Sequence, residues 1–339
     1  MLTLLVTALL CAAAQPAGPG TPPPARTQPK APTHPSILPV FDTSRTTTYV
    51  FRSVHTAQQS HGGKEFDPST EQVAWHVRVT PLAVDAEKQE AEIEVESTAV
   101  QASWSMYGFT EKYDSTVPYR PKQTQIPKRP GMEPDGATIN DVPLDRALYE
   151  RFKPLHGARM RLRVSDRGEV LEVKDEPALP PSAFASISPC NLLYSLFVLP
   201  ATNTDPDFNG VVRANQRWTC EHVDDAPKEG KAAPVRVTDY HVRTAGKARV
   251  EIEAVSRFKP PDGAPQPRGY VYDDKAAYVW DATTGQLAAA RLSVTNKSSF
   301  VVMGKDHGLG STSEVTIDRV RNEKRPTPPP GKPGKPAQP

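Results

Sequence analysis

Ala158-Arg-Met-Arg-Leu-Arg-Val-Ser-Asp-Arg-Gly-Glu-Val-Leu-Glu-Val-Lys174 is a strand, a turn and a second strand in unbroken succession. Met160, Leu162 and Val164 fall on one face, and Arg159, Arg161 and Arg163 on the other. That period of two marks a strand with one buried and one wet side. Asp166 and Gly168 then supply turn chemistry. About 120 residues later the design recurs in Ala277-Tyr-Val-Trp-Asp-Ala-Thr-Thr-Gly-Gln-Leu-Ala-Ala-Ala-Arg-Leu-Ser-Val-Thr295, with Asp281 and Gly285 at the turn. The pair predicts a mainly β, β-rich α+β fold. Its core is a large antiparallel curved sheet or half-barrel in two approximate halves, with one or two helices on the concave face.

Other segments alternate in the same way. Val73, Trp75, Val77 and Val79 share a face, as do Ile93 and Val95 against Glu92, Glu94 and Glu96, and Val250, Ile252 and Ala254 against Glu251 and Glu253. Further strands are expected over residues 46–55, 217–223, 235–244, 270–281, 286–296 and 311–320. If the strand of glutamates pairs with the strand of arginines, opposite charges meet across the ladder and fix its register.

Two helices are expected. Leu144–Phe152 places Leu144, Leu148 and Phe152 on one stripe. In the second, Ser188 caps, Pro189 takes the first helical position, residues 190–199 follow, and Pro200 stops the run. Leu192, Leu193, Leu196 and Phe197 make that helix apolar on nearly every side, so it must contact something apolar.

The ends frame the domain. Residues 1–14 read as a secretory signal, too short to span a bilayer, with Ala12, Ala13 and Ala14 before the cleavage point. Leu10 before Cys11 departs from a lipidation site. Residues 15–40 and 322–339 are proline-rich and read as disordered; residues 117–143 read as a proline-rich surface insertion. One β-rich domain over residues 41–321 remains, in a secreted, periplasmic or cell-envelope protein. Cys190 and Cys220 survive signal removal and are expected to form a disulfide in an oxidising compartment.

With 41 basic and 39 acidic residues the chain is nearly neutral and has no basic block interleaved with aromatics, so nucleic acid is not an expected partner. No later segment reads as transmembrane. The sequence contains no H-E-x-x-H, C-x-x-C, P-loop or G-x-S-x-G motif, which disfavours an enzyme and calls for no cofactor. Asp205, Asp207 and Asn209 match the opening of a calcium loop, but its twelfth position is Gln216 where a bidentate Glu belongs; a turn is the simpler reading.

A signal segment, antiparallel strands in two halves and an apolar helix between them together resemble the LolA/LppX type of secreted half-barrel and related bacterial envelope families. The resemblance spans about residues 45–321 and rests on element order. It implies a concave face that accommodates acyl chains, and it transfers no functional residue. The function it suggests is non-enzymatic binding of an apolar small molecule or lipid. Its expected site lies between the helix residues Leu192, Leu193, Leu196 and Phe197 and the sheet residues Trp75, Trp218 and Trp280. The alternative is a structural or protein-interaction module that binds another envelope protein and has no cavity.

Overall fold

A computed structural model describes residues 34–119, 144–177, 193, 196–197, 210–223, 235–259 and 271–325. The chain forms β1 (Arg45–His61), β2 (Lys64–Glu65), β3 (Ser69–Asp85), β4 (Glu90–Met106), β5 (Phe109–Asp114) and helix α1 (Leu144–Phe152). It continues through β6 (Arg159–Ser165), β7 (Val170–Lys174), β8 (Arg217–Val223), β9 (Val235–Ala245) and β10 (Arg249–Lys259). The last strands are β11 (Val271–Asp281), β12 (Gln286–Val302) and β13 (Lys305–Lys324). The thirteen strands of the described residues join one open sheet in the order β7-β6-β4-β3-β1-β13-β12-β11-β10-β9-β8, with β2 beside β1 and β5 beside β4.

The two halves expected from the hairpin passages are visible in this order. The chain starts at the centre of the sheet, walks outward to β7, crosses to β8, and walks back to the centre. The first and last long strands meet there, paired from Arg45 opposite Lys324 to His61 opposite His307. Register shifts beside Tyr49, Val77, Ile252 and Trp280 fall at neighbouring levels in four of the strand pairs. Each such bulge locally bends its strand and increases its twist.

Glutamate and arginine strands do pair. Across β4 and β6, Glu92 stands opposite Arg163, Glu94 opposite Arg161 and Glu96 opposite Arg159. Two diagonal ion pairs result, Arg163–Glu90 at 3.4 Å and Arg161–Glu92 at 3.3 Å, and one directly across the ladder, Arg159–Glu96 at 3.1 Å. All are exposed and contribute a few tenths of a kcal/mol each, so they set register more than stability.

The opposite, inner face carries the core, from Phe51, Trp75, Ile93 and Val95 to Ile252, Trp280 and Ile317. Among the described residues, three pieces of chain cover it. Helix α1 lays Leu148 and Phe152 on β4 and β5, with Phe152 stacked on Tyr113. Its Arg151 reaches over the sheet to Glu71, an ion pair almost wholly removed from solvent. Leu193, Leu196 and Phe197 of the crossing segment are buried in the same core.

The third piece was expected to be linker. Residues 35–41 instead form a strap: Ile37 is fully buried, Ile37 N donates to Gly210 O, and Val40 N donates to Gly285 O. Its buried apolar side chain holds it down despite the flanking prolines. Strand β13 likewise runs to Lys324, past the expected boundary at 321. Of the expected helix over 190–199, only Leu193, Leu196 and Phe197 are described. The signal segment, most of 117–143, and residues 326–339 lie outside the described residues.

Both hairpin turns behave as their sequences suggest. Gly168 has φ +86°, and a Cβ there would collide with the Phe197 carbonyl oxygen, so this turn is both left-handed and pressed against Phe197. Asp281 Oδ1 accepts from the Thr283 and Thr284 amides and the Thr283 hydroxyl, while Oδ2 accepts from Arg319 at 2.6 Å. Burial works to raise the Asp281 carboxyl; the hydrogen bonds from Thr283, Arg319 and Thr284 outweigh it and hold it well below the ordinary range.

A folded-state value below the unfolded one stabilises the fold above the ordinary Asp range, and that stability is lost as pH falls. Asp281→Asn is therefore expected to cost about 2 kcal/mol at neutral pH in urea unfolding. The difference from the native chain narrows below about pH 4. Arg151→Met, which strands the Glu71 carboxylate, is expected to cost about 3–5 kcal/mol, with most of it recovered in the Glu71→Gln/Arg151→Met double variant.

Candidate functional site

Facing residues define levels across the inner face. At one level, Phe51 on β1 stands opposite Trp75 on β3 and Ile317 on β13, and the row continues through Ala290, Tyr278, Ile252 and Val242. This is the apolar floor. Phe51 and Trp75 rings lie 5.4 Å apart, and Trp75 Nε1 donates to Ser97 Oγ at 2.8 Å.

Of the ligand-site residues expected from sequence, Trp75, Trp280, Leu193, Leu196 and Phe197 belong to one buried cluster, and Trp218 packs at its border, stacked on Tyr240 at 5.2 Å. Leu192 lies outside the described residues. The room among Leu196, Phe197, Pro39, Phe41, Tyr49 and Ile93 is a cavity of about 20 Å³. That is space for one water, far below the volume of an acyl chain. Trp280 Nε1 is buried with no hydrogen-bond partner among the described residues.

Four residues along β1, toward the end of the sheet where β1 finishes and β13 begins, the floor turns polar. His55 stands opposite Glu71 and Ser313; beyond them Val294, Asp274, Ser256, Thr238 and Cys220 follow on successive strands, and Trp104 and Glu111 on the other side. Most members are satisfied in pairs. His55 Nδ1 meets Ser313 Oγ at 2.8 Å, Thr238 and Ser256 hydroxyls meet at 2.9 Å, and Tyr272 donates to Asp274 at 2.9 Å.

Burial raises the Glu71 carboxyl, opposed by the charge and hydrogen bond of Arg151, and the net direction is up. Burial alone pushes His55 down, which keeps its imidazole neutral. His55 and Ser313 have the spacing of a base and a hydroxyl, but the carboxylate next in the row pairs with Arg151 and not with the imidazole. Among the described residues no three His, Cys, Asp or Glu side chains gather to a metal-sized cluster.

Cys220 is half-buried at the far end of this row; Cys190 lies outside the described residues, so their pairing is not seen. Asp205, Asp207 and Asn209 lie outside them too. The chain just beyond them is pinned to the strap, with Ser36 bridging Val211 and Val212 N donating to Pro35 O. Gln216 accepts from Arg213 N at 3.0 Å, the contact of a local turn.

A feature outside these expectations lies beyond the polar row. At this upper end the strands close in Gly62-Gly63, Tyr107-Gly108 and Met303-Gly304 turns, and both Tyr107 (φ +51°) and Met303 (φ +50°) hold a left-handed backbone. Two-residue hairpins favour Asn, Asp or Gly there, and a bulky side chain pays a strain cost. Met303 is 97 % exposed. Phe66, Tyr107, Phe109 and Phe300, the four exposed aromatics among the described residues, all sit at this end, with Val301 beside Met303. Turns at the lower end carry Glu87, Lys88, Asp166, Arg167, Lys247 and Thr283 instead. Sequence reasoning passed over the Tyr-Gly and Met-Gly pairs, although their unusual turn chemistry was visible there.

A wider depression of about 460 Å³ lies across β1, β3, β4 and β5, lined largely by outer-face residues. Its Arg52 pairs with Asp318, and its Asp114 accepts from Gln101. Its lining mixes these polar groups with Val54, Val73, Ala74 and Ala102.

No protein-family model matches the chain, and no curated protein matches it in sequence. Solved structures similar to it include lipovitellin, described for its lipid–protein interactions, at 11 % identity and TM-score 0.46, covering 85 % of this chain and 26 % of that one. The chain thus spans about a quarter of that protein's length. An outer membrane channel of Pseudomonas putida F1 (8 % identity, TM-score 0.20, 86 % of this chain and 100 % of that one) and Pseudomonas aeruginosa OccK2 (6 %, 0.18, 81 % and 98 %) are also similar. At these scores none of the likenesses carries a functional argument.

His55 gives the row a measurable signature. A histidine depressed in the folded state binds its proton more readily when unfolded, so stability rises with pH through the ordinary His range. The urea midpoint of the native chain is expected to climb between about pH 5 and 7, and His55→Asn is expected to flatten that climb.

Proposed function

We propose that the protein is a non-enzymatic binder of apolar, lipid-like ligands that works outside the cytoplasm, and that it engages them with the upper end of its sheet. The carrying observation is the pair of hairpin tips that hold Tyr107 and Met303 in strained, exposed conformations among Phe66, Phe109 and Phe300. Strain and solvent-exposed apolar area both cost stability in the isolated protein, and contact with lipid relieves the second. The signal-like segment at residues 1–14 and the resemblance to LolA/LppX-type half-barrels support the same reading.

If each of these five side chains and the neighbouring Val301 gains about 1 kcal/mol on burial, half the full value, the sum is about 6 kcal/mol. That corresponds to weak, reversible attachment near that of a single myristoyl chain. A ligand between the crossing segment and the sheet would instead have to displace Leu196, Phe197 and the strap, which leave only about 20 Å³ among them. The same filled core favours a second reading, a structural or protein-interaction module whose helix residues simply complete the interior.

Co-sedimentation of untagged protein with phosphatidylcholine vesicles, together with lipid extraction and mass spectrometry of natively purified protein, separates the two. Vesicle binding is expected, and Phe300→Ser/Met303→Ser, which removes about 2 kcal/mol, is expected to weaken it roughly thirtyfold. A Lys88→Ala control at the lower end leaves it unchanged. Protein that stays in the supernatant and yields no lipid overturns the proposal in favour of the interaction module.

A further inference from the structure

At the upper end the strands also bring two histidines together. His61 closes β1 and His307 lies near the start of β13; the two are register partners, and the Gly62 amide bonds to the Asp306 carbonyl to fix the corner. Their Nδ1 atoms are 3.2 Å apart, with ring centroids 4.4 Å apart at 69°. Phe300, opposite His307 on β12, stacks on that ring at 5.4 Å and 6°, which restrains its orientation.

As a hydrogen bond, this contact needs one imidazole to carry its proton on Nδ1 and the other to present a lone pair there. The same separation suits a shared ion. Two nitrogens each about 2.0–2.1 Å from one metal, at angles of 90–110°, are about 2.9–3.4 Å apart. We propose that His61 and His307 form a two-histidine clip for a first-row divalent transition ion, copper(II) foremost. Neutral imidazole suits copper, nickel and zinc, and affinity at a given nitrogen site peaks at copper.

The other groups at this corner fit an open, exchangeable site. No third His, Cys, Asp or Glu joins the pair among the described residues, so the remaining coordination positions fall to water or to a ligand from outside. Lys64 is the register partner of His61 on its other side, and its charge opposes a cation. Both groups are solvent-exposed, so that repulsion is screened. Metal and proton compete for the same nitrogens, and acidification releases the ion. The clip does not rest on the lipid-binding reading, although Phe300 serves both surfaces: the ion is held by the two imidazoles.

Titration of the untagged full chain with copper(II), then zinc(II), by calorimetry at neutral pH tests the clip. One equivalent is expected to bind, with copper the tighter. His61→Ala and His307→Ala are each expected to weaken it by more than about tenfold, the loss that even an outer-shell partner can cause. His156→Ala, at a distant exposed histidine, leaves binding intact. Electron paramagnetic resonance of the copper complex is expected to show coupling to two imidazole nitrogens. An absence of binding, or an equivalent that survives both substitutions, overturns the assignment.

Discussion

The pairing of β1 with β13 is the constraint on which the rest of the molecule depends. Every other neighbouring pair of long strands within a half is close in sequence, but this ladder joins the beginning of the domain to its end. Without it β1 would be an edge strand exposing Tyr49 and Phe51, and β13 would expose Val315 and Ile317. Apolar edges of that kind invite pairing with other chains. The ladder is reinforced across the joint by Tyr49, whose hydroxyl donates to Leu287 O, and by Thr47, which donates to Gln286. Bringing such distant segments together carries a large loop-closure cost, met only when the whole inner face can be buried at once.

The central joint also dictates the crossing. The N-terminal half ends at one edge and the C-terminal half begins at the other, and of the chain between β7 and β8 the described residues Leu193, Leu196, Phe197 and Val212 are core residues. The strap at 35–41 is recruited by the same logic, since the chain entering β1 arrives in the middle of the sheet and can lie over the lower half of the floor. Together the described residues of both segments pack over the lower part of the inner face.

From floor to rim the inner face therefore changes character in steps. Closely packed aromatics give way to a row of paired polar groups, His55, Ser313, Glu71, Thr238 and Ser256, and then to hairpin tips carrying aromatic side chains and Met303. The polar row is satisfied within the protein, largely through pairs on adjacent strands and through Arg151 from α1. The tips stay exposed to solvent. That gradient, and not an internal pocket, is what the proposed interaction with apolar ligands uses.

Much of the fold was legible in the sequence because strand alternation and turn chemistry are local. Met160, Leu162 and Val164 had to face inward and the arginines outward; Asp166, Gly168, Asp281 and Gly285 had to reverse the chain. Even the glutamate–arginine register followed from charge order. The site was less legible. Trp75, Trp280, Leu196 and Phe197 were correctly grouped as apolar, but apolarity alone does not tell a packed core from a cavity, which depends on how tightly distant segments close over one another. His61 and His307, 246 residues apart, become neighbours only through the β1–β13 ladder. So do the polar row and the cluster of aromatic tips. The sequence by itself determined the strands, their faces and their turns, because those are set within a few residues; the tertiary structure alone decided which faces are covered and which ends meet, because that is set by closure between the two ends of the chain.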